Sequence, residues 1–124
     1  MFSTIEDELG FILPMSFGEL PFRPARAFYV GNVPKGTIRG NHAHKACHQL
    51  LVCLSGQILC ELTKSDGSFE SIVLNSPTDA LHIPPKTWGK QVYVKSNSQL
   101  LVFASHEYDE TDYIRNWEDF LKSM

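Results

Sequence analysis

The sequence lacks several features that mark particular classes of protein. Its 11 Lys and Arg against 14 Asp and Glu give a formal net charge of −3, so no basic excess suggests a nucleic-acid partner. The longest apolar run, LLVCL, is far too short to span a membrane. The start, MFSTIEDELG, is acidic and has neither the basic region nor the long apolar region of a signal peptide. We therefore expect a cytoplasmic protein with no membrane partner.

Cysteine is also scarce, and its pattern argues against both disulfides and a cysteine-based zinc site. The three cysteines, Cys47, Cys53 and Cys60, are odd in number, and no two of them have CxxC spacing. Cys53 and Cys60 lie within apolar, strand-like runs, where we expect buried free thiols. The sequence also has no GxGxxG motif with which to hold a dinucleotide cofactor.

What the sequence does contain is a series of short extended segments separated by turn signals. The segments are RAFYVGNV, HQLLVCL, QILCELT, FESIVL, ALHI, KQVYV and QLLVFAS. PKG, LSG, SDG, NSP, PPK and SNS separate them, and the Asp-Gly pair in KSDGS marks the clearest hairpin. This pattern predicts an all-β architecture, closed or sandwiched as in a jelly roll, in a single domain over residues 1–124.

The C-terminal segment, DETDYIRNWEDFLKSM, departs from the extended pattern. Apolar residues recur there at three- and four-residue spacing, from Tyr113 through Trp117 to Phe120 or Leu121. This spacing predicts a short C-terminal helix that packs on the sheets, with Thr111 or Asp112 as its cap. In this interpretation Tyr113 and Trp117 are packing residues.

The stretch GTIRGNHAHKACHQLLVCLSG contains the residues most capable of chemistry. Gly36 is followed after five residues by His42 and His44, then by Gln49 and, after six more, by Gly56. This order resembles the first signature of the cupin superfamily, G-x5-H-x-H-x3-4-E-x6-G, with Gln in place of Glu. Alternate residues of a strand point to one face, so both histidines should point together, into the barrel interior.

The same motif argues against a metal site. In metal-dependent cupins the Glu and a histidine from a second motif complete the metal shell, but here Gln49 is a poor ligand and IPPKTWGKQVYV has no histidine. His48 should point to the other side of its strand, and the sequence does not determine to which side His82 points. We therefore expect no metal, and a histidine pair that transfers protons. The alternative is a pair of satisfied core residues.

Four segments, RGNHAHK, QLLVCLSG, PPKTW and LLVFASHEYDETDYIRNWEDF, together resemble the sugar 3,4-ketoisomerases, the FdtA/QdtA-like or WxcM-like cupins. The resemblance extends from about Arg26 to Phe120. It implies an isomerase, without metal or cofactor, that converts dTDP-4-oxo-6-deoxyglucose to its 3-oxo isomer for deoxyamino sugars of lipopolysaccharide O-antigen, surface-layer glycans or antibiotics. It also implies a homodimer, with His42 and His44 as the catalytic pair.

Charged residues near the motif are candidates for binding the substrate diphosphate. Arginine contacts phosphate bidentately, which favours Arg39, directly before Gly40, and Arg26, which matches an arginine position of the family. Lys45 is a further candidate, although a solvated lysine at a strand end is an equal alternative.

Three uncharged residues complete the predicted binding set. Gln49 should hydrogen-bond a histidine or a sugar hydroxyl, because a buried amide needs partners. Tyr29 is either a partner for a sugar oxygen or a packing residue. Trp88 is either a wall for the sugar or base, or part of the core.

Two departures from the family pattern leave the substrate and the product configuration at C4 open. Gly89 follows the tryptophan where many relatives have His or Tyr, and Leu9 precedes Gly10 where many have Arg or Tyr. Three other functions stay open: a nucleotide-sugar epimerase of the same fold, a noncatalytic cupin that binds a sugar nucleotide, and a metal-dependent oxygenase.

Overall fold

Two antiparallel sheets pack against each other in the computed structural model, which describes residues 1–124. The strands are β1 (Ile5–Asp7), β2 (Gly10–Ile12), β3 (Arg26–Val30), β4 (Ile38–His44), β5 (Gln49–Ser55), β6 (Ile58–Thr63), β7 (Phe69–Leu74), β8 (Ala80–Ile83), β9 (Trp88–Tyr93), β10 (Gln99–Ala104) and β11 (Tyr113–Ile114). One sheet has the order β3-β10-β5-β8 and the other β11-β4-β9-β6-β7. The predicted all-β architecture is thus confirmed.

The main core lies between the two sheets. It contains Leu51 and Cys53 of β5, Cys60 of β6, Tyr93 of β9 and Leu100 of β10, all at most 2 % exposed. Along β6 buried and half-buried residues alternate, as expected for a strand with one face on a core. All three cysteines are buried free thiols, as predicted.

Strand β5 is buried on both faces, which explains its continuous apolar sequence. Leu51 and Cys53 face the main core, whereas Leu50 and Val52 lie on the outer face of the sheet. That outer face is covered by apolar residues of the N-terminal segment: Phe2, Leu13, Met15, Leu20 and Phe22. The segment therefore closes one side of the fold, a role that its irregular sequence did not predict.

The predicted hairpin is confirmed, and a second one was not predicted. Strands β6 and β7 pair from Thr63↔Phe69 to Ile58↔Leu74, and Gly67 in the turn between them has φ +86°. The second hairpin joins β1 and β2, pairs Asp7 with Gly10, and exposes every residue of both strands.

The C-terminal helix is present but begins later than the spacing predicted. Helix α1 spans Trp117–Lys122, and its cap is Asn116, whose Oδ1 accepts from the backbone N–H of Asp119 at 3.1 Å. Tyr113 is not helical, because Tyr113 and Ile114 form β11 and pair with the free edge of β4. The predicted cap at Thr111 or Asp112 was therefore wrong. No helix of the structure has the length and apolarity to cross a membrane.

Candidate active site

A bulge in β4 sets which of its side chains point inward. The β4–β9 register shifts between Gly40 and His42, with positive φ at Gly40 (+87°) and Asn41 (+57°). The extra residue brings Arg39 to the same inner face as His42, although their spacing is odd. A Cβ at position 40 would lie 3.1 Å from the Gly89 carbonyl oxygen and 2.8 Å from Oε1 of the Gln91 side chain, and the left-handed φ there is strained for any other residue, so the bulge favours glycine.

Inside the barrel lies an open cavity of about 100 Å³. Its polar wall consists of Arg39, His42, Gln49, Gln91 and Tyr93, and apolar residues of β3, β5 and β10 form the rest. Burial raises the pKa of the Tyr93 phenol to about 12, so this group is neutral at pH 7. The cavity thus combines a cation, a histidine and neutral hydrogen-bonding groups.

The two histidines of the motif lie together, as their spacing predicted. The ring centroids of His42 and His44 are 5.0 Å apart, in an edge-to-face arrangement. Tyr113 packs against both rings, at 5.1 Å from His42 and 4.3 Å from His44. Behind this tyrosine, the Arg115 guanidinium lies 4.1 Å from its ring centroid. Tyr113 is therefore a wall of the histidine pair and not a residue of a helix.

Each histidine of the pair has one buried ring nitrogen without a hydrogen-bond partner, Nδ1 in His42 and Nε2 in His44. Burial, and secondarily the neighbouring His44, lower the pKa of His42 to about 4. Burial also lowers the pKa of His44, against the opposing effect of a hydrogen bond to Asp112. Both rings are therefore neutral at pH 7 and can accept a proton.

Asp112 contacts His44 from a segment 68 residues further along the chain. Its Oδ2 lies 3.0 Å from His44 Nδ1 and accepts from the Cys47 N–H at 3.2 Å, while Oδ1 accepts from the Ala46 N–H at 2.8 Å. Sequence reasoning considered Asp112 only as a helix cap. The available signal was the distinctive YDETDYIR tail, which lies against the histidine motif through the pairing of β11 with β4.

Two of the predicted binding residues lie close to the histidines. Gln49 is 8 % exposed and lines the cavity, and its amide has no side-chain hydrogen bond. Arg26 donates from Nε to the His106 carbonyl oxygen at 3.0 Å, and its positive charge contributes to the lowered pKa of His44. The Gln49 amide and the Arg26 guanidinium therefore lie beside His42 and His44, where a ligand could contact them.

Tyr29 and Lys45 lie at the periphery. Tyr29 is 56 % exposed and occupies the face of β3 opposite to Phe28, beside Arg39 in a surface depression outside the cavity. Lys45 is exposed, directly after the last residue of β4. Neither side chain lines the cavity in this chain.

Trp88 is not brought together with the histidines. It points to the outer face of β9, where it packs against Ala43, Ile114 and Phe120 and lies 5.2 Å from the Trp117 ring. It does not line the cavity, so the predicted sugar wall is not formed and the packing alternative describes its position. The physical reason is alternation along β9: Gln91 and Tyr93 face inward, so Trp88 faces outward.

The residues around the pair fit a metal poorly. Beside His42 the cavity wall offers the amides of Gln49 and Gln91 and the neutral phenol of Tyr93, which are weak ligands for zinc or iron. Ligand-capable atoms of His44, Cys47 and Asp112 do lie within 4.8 Å of one another. However, the Asp112 carboxylate is engaged by His44 and two backbone N–H groups, and the Cys47 thiol donates to the His48 carbonyl.

Comparison with known proteins shows the family to which the chain belongs. The family profile described as "FdtA: WxcM-like, C-terminal" matches residues 1–124. A TDP-4-oxo-6-deoxy-alpha-D-glucose-3,4-oxoisomerase from Aneurinibacillus thermoaerophilus is 36% identical over 123 residues, which cover 98% of this chain and 87% of that protein. The chain belongs to this family of sugar 3,4-ketoisomerases.

Solved structures of ketoisomerases have the same fold. QdtA, a sugar 3,4-ketoisomerase from Thermoanaerobacterium thermosaccharolyticum in complex with TDP, has a TM-score of 0.92 and 37% identity, covering 98% of this chain and 89% of that one. A histidine-to-asparagine variant of that enzyme, in complex with TDP-4-keto-6-deoxyglucose, has a TM-score of 0.92 and 36% identity, covering 98% and 88%. The predicted cupin-type ketoisomerase fold is thus confirmed.

Proposed function

We propose that this protein isomerises a dTDP-linked 4-oxo-6-deoxyhexose to its 3-oxo isomer by histidine-mediated proton transfer, without a metal or cofactor. The observation that carries the proposal is the pair of neutral histidines, each with a buried ring nitrogen lacking a partner. His42 lines the polar cavity, and the His44 ring lies 5.0 Å behind it. Leaving such atoms unpaired costs roughly 1–3 kcal/mol each. That cost is offset if the substrate supplies the missing partners.

The chemistry needs only proton movements. His42, which lines the cavity, takes the proton from C3, which produces an enediolate with its negative charge on the C4 oxygen. His44 then takes the proton of the C3 hydroxyl and passes it to the C4 oxygen, so that the charge moves to the C3 oxygen. His42 finally returns its proton to C4 as the C3 oxygen becomes the new carbonyl. Bonds and electrons balance, and no oxidant or reductant is consumed.

Burial of His42 assists both directions of transfer. Its pKa of about 4 keeps the ring neutral and available before reaction. Once protonated, the buried imidazolium is unfavourable and tends to pass its proton onward to carbon. Hydrogen-bond donors at the developing oxyanion lower the barrier further, and Gln49 and Gln91 are the amides positioned for this in the cavity.

We infer that the diphosphate binds at the cationic rim of the cavity. Arg39 lies both in the cavity and in the surface depression that contains Tyr29, so its guanidinium joins the two spaces. Arg26 and Lys45 add positive charge beyond the histidines, and bidentate contact with phosphate favours the arginines. Tyr29 is the proposed partner of an oxygen outside the cavity.

We also infer a homodimer in the cytoplasm, formed from single cupin domains of residues 1–124. The β1–β2 hairpin presents an apolar surface at Ile5, Leu9, Phe11 and Ile12, which are 58–93 % exposed. A second copy that covers this hairpin would remove the surface from water. In light scattering Phe11→Asp should therefore give a monomer. Phe69→Asp is the matched control, since Phe69 is also exposed (62 %) but lies on β7.

The product would be a 3-oxo sugar nucleotide, ready for amination at C3 in the biosynthesis of a deoxyamino sugar for a surface glycan such as O-antigen. The reaction is tested by incubating the protein with dTDP-4-oxo-6-deoxyglucose in D2O, with excess EDTA in a parallel sample, and following the sugar by NMR. We expect the 3-oxo isomer with deuterium at C4 in both samples.

Each other outcome identifies a different function. A 4-oxo product inverted at a neighbouring carbon would indicate an epimerase. Tight dTDP binding without deuterium exchange at C3 or C4 would indicate a noncatalytic binding protein. Loss of turnover in EDTA, restored by one metal, would contradict a metal-free mechanism.

A further inference from the structure

Strand pairing brings a carboxylate next to one catalytic histidine. Asp112 is the last residue of a 3-10 turn, Glu110–Asp112, and directly precedes β11. Because Tyr113 pairs with His44, the Asp112 side chain reaches the His44 ring, with Oδ2 3.0 Å from Nδ1. Both side chains are largely shielded from water, with 15% and 6% exposure respectively.

The carboxylate is held on several sides and cannot turn away easily. Its oxygens accept from the backbone N–H groups of Ala46 at 2.8 Å and Cys47 at 3.2 Å. Its own backbone carbonyl accepts from the Lys45 N–H at 2.8 Å. This segment, directly after His44, therefore wraps around Asp112 and fixes the direction from which the carboxylate meets the imidazole.

This arrangement determines which ring nitrogen of His44 carries the hydrogen. An ionised carboxylate can only accept hydrogen bonds, so the hydrogen between Asp112 and His44 belongs to Nδ1. In a neutral ring Nε2 then has a free lone pair. That nitrogen is buried and without a partner, as expected for an acceptor reserved for a ligand.

We propose that Asp112 is a positioning residue: it fixes His44 as the Nδ1–H tautomer, so that Nε2 accepts the substrate hydroxyl proton and returns it to the neighbouring oxygen. This inference rests on the proposed isomerase function. The carboxylate also stabilises the imidazolium that forms for the short time in which His44 holds the proton, as expected for a histidine backed by an acid.

The alternative is that Asp112 only anchors the loop after β4. Asp112→Asn separates the two roles. The Asn oxygen, in place of Oδ1, can still accept from the Ala46 N–H, but the NH2 in place of Oδ2 can only donate to His44 Nδ1, which forces the hydrogen onto Nε2. The bond to Ala46 then keeps the loop anchored, whereas the acceptor that His44 and the Cys47 N–H share is lost.

Asp109→Asn is the matched control, because it makes the same chemical change at the start of the same turn. Asp109 Oδ1 accepts from the Thr111 N–H at 3.0 Å and from its hydroxyl at 2.7 Å, without touching His44. Any effect of weakening the turn itself should appear in this control as well.

The experiment combines ring nitrogen NMR with kinetics. With 15N-histidine labelling, and His44→Asn to assign the signals, wild type should show His44 protonated at Nδ1, and Asp112→Asn should show it protonated at Nε2. We expect kcat of Asp112→Asn to fall about 10²–10⁴-fold, with KM changed by less than about threefold. Asp109→Asn should keep the wild-type tautomer of His44 and the wild-type kcat. Asp112→Glu keeps a carboxylate acceptor, so its kcat should lie between that of Asp112→Asn and that of wild type.

Three results would overturn the inference. They are a wild-type His44 protonated at Nε2, a switched tautomer with normal kcat, and a loss of kcat no larger in Asp112→Asn than in Asp109→Asn. The wild-type tautomer is measured without Asp112→Asn, so it decides even if that variant fails to fold. If wild type does not isomerise the sugar at all, the proposed function fails, while the tautomer measurement still tests the placement of the hydrogen.

Discussion

The fold contains two close histidine pairs with similar ring separation and opposite surroundings. The rings of His42 and His44 are 5.0 Å apart and nearly perpendicular, on the inner face of β4. Those of His48 and His82 are 5.2 Å apart and nearly parallel, on the outer side of the other sheet. Phe22, from the N-terminal segment, covers both outer rings at 5.6 and 5.8 Å.

The two pairs differ in how their hydrogen bonds are satisfied. His48 Nδ1 and His82 Nε2 are 2.9 Å apart, so one ring donates to the other and the pair links the start of β5 to β8. In the inner pair one nitrogen of each ring is buried without a partner. Two histidines that hydrogen-bond each other stabilise the fold. Two histidines whose buried ring nitrogens lack partners can instead hydrogen-bond a ligand. Residue type and separation alone do not distinguish these roles.

The largest expected difference between the pairs is in turnover. His42→Asn or His44→Asn should lower kcat by ~10²–10⁴-fold, because Asn cannot accept a proton near pH 7. Binding of dTDP, measured by calorimetry, should barely change, and loss of C3 deuterium exchange in only one variant would identify the base. His48→Asn is the outer-pair control and should retain turnover. Normal turnover in both inner variants would mean that the inner pair is structural too.

The pH dependence should also follow the inner pair. Burial lowers the pKa of His42 to about 4 and also lowers the pKa of His44, so the pair stays neutral as the pH falls and kcat/KM should show no acid limb at pH 6.5. Below about pH 4, kcat/KM should fall at least about tenfold per pH unit, because His42 is then mostly protonated. The unfolded chain takes up this proton near pH 6.5, so the free energy of unfolding should also decrease from pH 6.5 towards 4. An acid limb of kcat/KM at pH 6.5 would contradict a buried neutral base.

The cation beside the inner pair should act mainly on binding. Arg39→Ala should raise the Kd for dTDP by roughly 10- to 100-fold, since a charge-assisted contact contributes about 1.5–3 kcal/mol. Arg39→Lys should recover only part of this affinity, because a lysine has no bidentate fork. Arg23, which lies beside Phe22 in a depression of the N-terminal segment, offers a control. Equal loss in Arg23→Ala would show a general charge effect.

The bulge that assembles the inner site can be tested by stability. Gly40→Ala combines positive φ with a close approach to Gln91, and should lower the free energy of unfolding by about 1–3 kcal/mol and impair kcat/KM. Gly67→Ala has nearly the same φ (+86°) but no atom within 4 Å, so it isolates backbone strain from contact. If both variants lose equal stability in urea titrations, the contact with Gln91 is unimportant.

The smallest effect is expected at the outer pair. His82→Asn removes one member of a self-satisfied pair, and should cost about 1 kcal/mol of unfolding free energy with kcat unchanged. Chemical denaturation and the isomerase assay would measure the two effects separately. A large loss of kcat in His82→Asn would show that the two pairs are coupled through β5.

Local regularities determined the part of this structure that was predictable. Short apolar segments between turn signals predicted β3 and β5 to β10, and an Asp-Gly turn predicted the β6–β7 hairpin. The i and i+2 spacing placed His42 and His44 on one face, because a strand repeats every two residues. It also put His48 on the opposite side from Gln49, as observed.

Only the tertiary structure decided the rest of the site. The bulge at Gly40 changes the face of Arg39, and strand register joins His44 to Asp112 across 68 residues and His48 to His82 across 34. Such contacts depend on which strands pair and in which register, and a shift of one residue would reverse every facing. The residues around His44 therefore had to be read from the folded chain, because periodicity describes one strand at a time.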